Sequence, residues 1–123
     1  MSQTLAVHVL VDLYGVDVAL LDDPVRLERA LLEAAAAARC EVLGSVKHKF
    51  EPQGASVVVL VAESHLSIHT WPEHGYAAAD ILTCGATLPI EGVESLVSTL
   101  KPLRFHVTEL DRGQPAQATK ITA

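Results

Sequence analysis

The chain has 123 residues, half of them hydrophobic and 20% charged, which makes a single compact domain over residues 1–123 and excludes a second domain or a wholly disordered chain. Nine Lys and Arg against fifteen Asp and Glu leave a net charge of −6, the wrong sign for tracking nucleic acid or an anionic membrane. The longest apolar run, Val57 to Ala62, is far short of the roughly 20 residues that span a bilayer, and no basic segment precedes an apolar core at the N-terminus. A cytoplasmic protein with no membrane partner is the expectation. Cys40 and Cys84 form no Cys-x-x-Cys pair, so both are expected as free thiols.

Along the chain, Leu5 to Tyr14 alternates, with Val7, Val9, Val11 and Leu13 on one face, and reads as a strand with one buried side. Asp22-Asp23-Pro24 then offers a capping acid and a proline at the first helical position. Leu27, Leu31, Ala34, Ala35 and Ala38 follow at helical spacing, which predicts an amphipathic helix ending near Cys40. The alanine run 34–38 suits close packing. Val42 to Phe50 and Ser56 to Glu63 read as strands separated by the turn Glu51-Pro52-Gln53-Gly54. Ser64 to Trp71 continues in β character until Pro72-Glu73-His74-Gly75 breaks it, and Ala77 to Cys84 is again strand-like. Pro89 opens a second helix carrying Val93, Leu96, Val97 and Leu100, and Pro102 stops it. Arg104 to Leu110 is a last strand, and Asp111 to Ala123 reads as a loose polar tail. The order β-α-β-β-β-β-α-β predicts an α+β two-layer sandwich, a largely antiparallel sheet with two helices on one face. Its other face needs cover, which points to a homodimer.

Reactive side chains concentrate between Glu63 and Tyr76, a segment holding three of the six histidines, with Cys84 close behind. On a strand, His65, Ser67, His69 and Trp71 share one face and Leu66 and Ile68 the other. Zinc is disfavoured, because His65 and His69 would stand about 13 Å apart at roughly 3.3 Å per residue, so no metal site is expected. A Ser/His or Cys/His pair needs a spatial contact that spacing does not supply, and half-buried structural histidines remain the plain alternative.

The run Glu63-Ser64-His65-Leu66-Ser67-Ile68-His69-Thr70-Trp71-Pro72-Glu73, followed by Gly75-Tyr76-Ala77 and Thr83-Cys84-Gly85, resembles the processing site and active-site strand of the prokaryotic S-adenosylmethionine decarboxylases. A weaker likeness extends over roughly residues 5–113 and includes Leu13-Tyr14-Gly15, Leu21-Asp22-Asp23 and His106-Val107. The resemblance implies a proenzyme in which the Ser64 hydroxyl attacks the Glu63 carbonyl and β-elimination then separates a β chain, 1–63, from an α chain, 64–123. Ser64 becomes a pyruvoyl group, which serves as the covalent cofactor and takes the substrate amine as a Schiff base. Ser56 and His69 match the family's processing residues, and Cys84 matches its proton donor. Phe50 and Glu73 match the residues that stack on adenine and hold the ribose hydroxyls of S-adenosylmethionine. The product so implied is decarboxylated S-adenosylmethionine, the aminopropyl donor of spermidine synthesis, made by a homodimer.

Val16, His74 and the Ala6-Val7-His8 segment depart from the pattern of relatives, where cysteine, tyrosine and an earlier glycine are common. These departures keep open the same pyruvoyl machinery acting on ornithine or arginine. A non-catalytic dimeric ligand-binding module is the alternative from a different class.

Overall fold

The computed structural model describes residues 4–121. Strand β1 (Ala6–Tyr14) leads through a one-turn helix α1 (Val18–Leu21) into α2 (Pro24–Ala37). Strands β2 (Glu41–Lys49), β3 (Ala55–Ala62), β4 (Ser64–Trp71) and β5 (Tyr76–Thr83) follow, then α3 (Pro89–Leu100) and β6 (Arg104–Arg112). All six strands lie in one sheet in the order β2-β3-β4-β5-β1-β6, and every neighbouring pair is antiparallel. The α+β sandwich expected from the sequence is therefore present, with two additions. The α1 turn is too short to carry helical periodicity. The segment read as a tail begins inside β6, where Arg112 still pairs with Ala6, and holds a 3-10 turn at Pro115–Gln117; residues 122–123 fall outside the described part.

Local chemistry accounts for the elements. The Asp23 side chain accepts from the N–H groups of Val25 and Arg26 and caps α2, with Pro24 at its first position. Helix α3 also starts on a proline and ends at Lys101 with a φ of 49°, just before Pro102. Between β4 and β5, Gly75 takes a φ of 60°, which turns the chain after the 3-10 turn Pro72–His74.

Helix α2 packs over β2, β3 and β4, α3 packs over β1 and β5, and the helices pack against each other. The core lies between these layers. Val9, Val11 and Leu13 from β1, Val57 and Val59 from β3, Leu66 and Ile68 from β4, and Ile81 from β5 meet Leu27, Leu31, Leu96 and Leu100 there. Because side chains alternate along each strand, the residues between these point to the opposite, open face of the sheet. That face mixes apolar groups, Leu10, Val46, Val58, Leu60, Trp71 and Leu110, all at least 37% exposed, with a polar stripe. No described helix is long and apolar enough to cross a membrane.

On the open face, the Tyr76 hydroxyl donates to Asp12 across β5 and β1. Ionising the phenol would lose that bond and set two negative charges together, so the Asp12 hydrogen bond, then burial, push Tyr76 up to about 12.

Two outcomes follow. Leu31, fully buried between α2 and the sheet, should cost about 3 kcal/mol of unfolding free energy when truncated to alanine. Val25→Ala, half-exposed at the start of α2 away from the open face, should cost under about 0.5 kcal/mol, and urea denaturation of both variants provides the comparison. The raised Tyr76 group contributes its stability in full below the ordinary tyrosine value near 10 and loses it as pH climbs toward 12. Asp12→Asn should move one of the chain's two tyrosine titrations downward in an ultraviolet absorbance titration.

Candidate active site

The register of β4 between its two neighbours builds the site. Ser64 pairs with Val61 in a tight β3–β4 hairpin, and His65 pairs with Leu82 on β5. Two positions beyond that pairing, Cys84 falls opposite Glu63. The Cys84 thiol lies 3.8 Å from the Glu63 backbone oxygen and 3.6 Å from its side-chain Oε1, within reach for a weak S–H donor. Ser64 itself has a φ of 149°, a region that residues other than glycine enter at a cost of order 1–3 kcal/mol. The peptide bond between Glu63 and Ser64 thus has a strained residue on one side and a thiol at its carbonyl.

Further along the same strand pair, Ser56 faces His69, and the serine hydroxyl stands 2.7 Å from His69 Nδ1. A hydroxyl and an imidazole at that distance can exchange a proton. Both line a cleft of about 380 Å³ together with Phe50, Gln53, Trp71 and Glu73, a size suited to a small-molecule ligand. The turn carrying Phe50 is held from behind. Asp22 Oδ1 accepts from the Gly54 N–H at 2.8 Å and from Lys49 at 3.1 Å, and the Gly54 bond, then Lys49, hold its carboxyl below the ordinary value. The cleft therefore offers two aromatic rings, a carboxylate and a Ser–His pair within one concave surface.

The structure brings the expected residues together as two groups rather than one. Glu63, Ser64 and Cys84 form the first, and Phe50, Ser56, His69 and Glu73 the second. Ser64 and His69 are five positions apart on a single strand, about 16 Å at roughly 3.3 Å per residue. Within one copy of the chain, His69 does not reach the Glu63–Ser64 bond. Cys40, by contrast, donates only to the Ala38 backbone oxygen, and burial pushes its thiol upward.

Sequence reasoning missed Asp80. Among the described residues, His8, His65 and Asp80 are the one group whose donor atoms converge closely enough for a metal ion, all within 4.8 Å of one another. These atoms already bond to each other: Asp80 Oδ2 lies 2.6 Å from His8 Nε2 and 3.0 Å from His65 Nε2, and Ser67 donates to its other oxygen. Burial alone would raise the Asp80 carboxyl; Ser67, His8 and His65 outweigh it and hold the group below the ordinary carboxylate value. A signal was available, since Asp80 is the single charge in the otherwise apolar stretch Ala77 to Leu82. Its partner on β1, His8, is 72 positions away in sequence.

The family described as S-adenosylmethionine decarboxylase matches residues 7–113. A Bacillus cereus protein named S-adenosylmethionine decarboxylase proenzyme 2 is 48% identical over 111 residues, covering 89% of this chain and 90% of that one. A Caldanaerobacter subterraneus protein named S-adenosylmethionine decarboxylase proenzyme is 44% identical over 115 residues, 93% of each. The crystal structure of the adenosylmethionine decarboxylase from Aquifex aeolicus superposes with a TM-score of 0.86 at 36% identity, over 98% of this chain and all of that one. With matches spanning nearly its whole length and a shared fold, the chain belongs to the S-adenosylmethionine decarboxylase family.

Proposed function

We propose that the chain is a self-processing S-adenosylmethionine decarboxylase that cuts itself between Glu63 and Ser64 and uses a pyruvoyl group made from Ser64. The observation that carries this reading is the placement of the Cys84 thiol 3.8 Å from the Glu63 carbonyl oxygen, beside a strained Ser64. The residues present fit the generation of that group. The Ser64 hydroxyl is adjacent to its own acylating carbonyl, which gives the attack a high effective concentration. Attack forms an ester and frees the Ser64 amine; loss of the Ser64 α-proton then expels Glu63 as a carboxylate and leaves a dehydroalanine, whose imine tautomer takes up water and releases ammonia to give the pyruvoyl ketone. The Cys84 thiol is positioned to donate toward the carbonyl oxygen as charge builds on it.

Once formed, the pyruvoyl group supplies the electron sink for decarboxylation. The chain's own side chains do the rest. Phe50 and Trp71 offer flat apolar surface for a nucleobase, and Glu73 offers a carboxylate to the hydroxyls of a ribose. Cys84, a free thiol next to residue 64, returns a proton to the substrate carbon. These aromatic and acidic walls favour a nucleoside sulfonium over ornithine or arginine, which have no ring to stack.

The two groups become one site if a second copy covers the open face. The 16 Å gap along β4 is then bridged between copies, with the Ser56–His69 pair and the Phe50–Glu73 cleft of one chain facing Ser64 and Cys84 of the other. The exposed apolar side chains on that face supply the burial such a homodimer needs. The reading carries with it a cytoplasmic location and decarboxylated S-adenosylmethionine as the aminopropyl donor for spermidine.

Mass spectrometry of the purified protein should show fragments 1–63 and 64–123, and Ser64→Ala should leave the chain whole; a cut Ser64→Ala chain would defeat the mechanism. Co-expression of Ser64→Ala with His69→Ala tests the shared site. Neither variant should cut alone, and together they should yield both fragments; a mixture that stays whole would remove the second copy from the chemistry. In the processed enzyme, carbon dioxide release should occur from S-adenosylmethionine and not from ornithine or arginine. Phe50→Ala should raise KM roughly 5- to 150-fold, the range set by about 1–3 kcal/mol of stacking per base, and an unchanged KM would place the nucleobase elsewhere.

A further inference from the structure

We propose that Asp80 is a positioning residue for turnover, holding the pyruvoyl-bearing end of β4 in place through His65 after the chain has been cut. The inference rests on the reading that the Glu63–Ser64 bond breaks. Before the cut, residue 64 is tethered from both sides. Afterwards it is a strand terminus, and a terminus frays unless something holds it. The side chain next to it is His65, whose Nε2 lies 3.0 Å from Asp80 Oδ2. Asp80 stands on β5, near the middle of the sheet, and is itself pinned: Ser67, two residues further along β4, donates to Oδ1, and His8 on β1 reaches Oδ2 at 2.6 Å.

The direction of these bonds follows from Arg112. Its Nη1 lies 2.8 Å from His8 Nδ1, and a guanidinium has only donors, so that nitrogen accepts. The His8 proton therefore sits on Nε2 and is donated to Asp80. The same tautomer weighs against a metal at this cluster, because a histidine that ligates through Nε2 carries its proton on Nδ1 and gives it to an acceptor. Here Nδ1 faces a cation. The network is thus a relay of hydrogen bonds running from β6 through β1 and β5 to the first side chain behind residue 64. A displacement of about 1 Å at a reacting group costs on the order of a hundredfold in rate, so such an anchor matters for turnover while leaving the Phe50–Glu73 cleft untouched.

The test measures kcat and KM for S-adenosylmethionine per pyruvoyl group, counted by borohydride reduction, in wild type, His65→Ala, His65→Gln, Asp80→Asn and Val93→Ala. His65→Ala and Asp80→Asn should be cut yet lose roughly 10- to 100-fold in kcat with KM within about threefold. His65→Gln, whose amide N–H can reach the position of Nε2, should recover most of kcat. Val93→Ala, which unpacks the helix layer away from the network, should lower the unfolding midpoint while keeping kcat within about threefold of wild type. A wild-type kcat in His65→Ala overturns the proposal, as does an equal kcat loss in Val93→Ala, which would mark a general loss of structure. It also fails if wild type is cut while His65→Ala and Asp80→Asn stay whole, since the network would then serve the cut. A wild type that stays whole overturns self-processing itself.

Discussion

A slip of one residue in the pairing of β4 with β3 and β5 would turn His65, Ser67 and His69 into the hydrophobic core and expose Leu66 and Ile68. The burial of Leu66 and Ile68 against Val57, Val59 and Ile81 holds that register, and every polar contact of the site follows from it. Ser56 stands opposite His69, Ser67 opposite Asp80, and Cys84, two positions beyond the His65–Leu82 pairing, opposite Glu63. The chemistry is therefore positioned by apolar side chains on the far side of the same strands. The cost of misplacing the site is the cost of unpacking the core.

The strand order bears on what a cut at residue 63 would do. Strand β1 lies on the N-terminal side of that bond, yet it sits between β5 and β6, which both lie on the C-terminal side. Strands β3 and β4, from opposite sides of the bond, also pair, and α2 packs on α3. The two fragments are thus interleaved through three ladders of backbone hydrogen bonds and a common core. Backbone cleavage in the β3–β4 hairpin removes a connection at the sheet's rim and leaves these contacts in place.

The open face divides the labour differently from the packed one. At one end, Cys84 and Ser64 surround the Glu63 carbonyl; at the other, Phe50, Ser56, His69 and Glu73 shape a cleft; between them Asp80 gathers donors from β4 and β1. A carboxylate this far into a sheet is tolerated because each of its oxygens is met by a donor. The acidic net charge of the chain also suits a cationic substrate.

Much of this was legible in one dimension. Alternation in β1, β3 and β5, the Asp23-Pro24 start of α2 and the proline stops of α3 report local physics, in which each residue's preference depends on neighbours a few positions away. The motif around Ser64, His69 and Cys84 likewise announced the family, because those residues lie close together along the chain. Helix α1 did not show, since a single turn has no period to read. Asp80's bond to His8, 72 positions away along the chain, and the bond from Arg112 that orients His8, 104 positions away, did not show either. Nor did the separation of Ser64 from His69, for proximity in sequence along an extended strand is distance in space. Those features arise only when strands from opposite ends of the chain are laid side by side and the core chooses which face of each strand is left open.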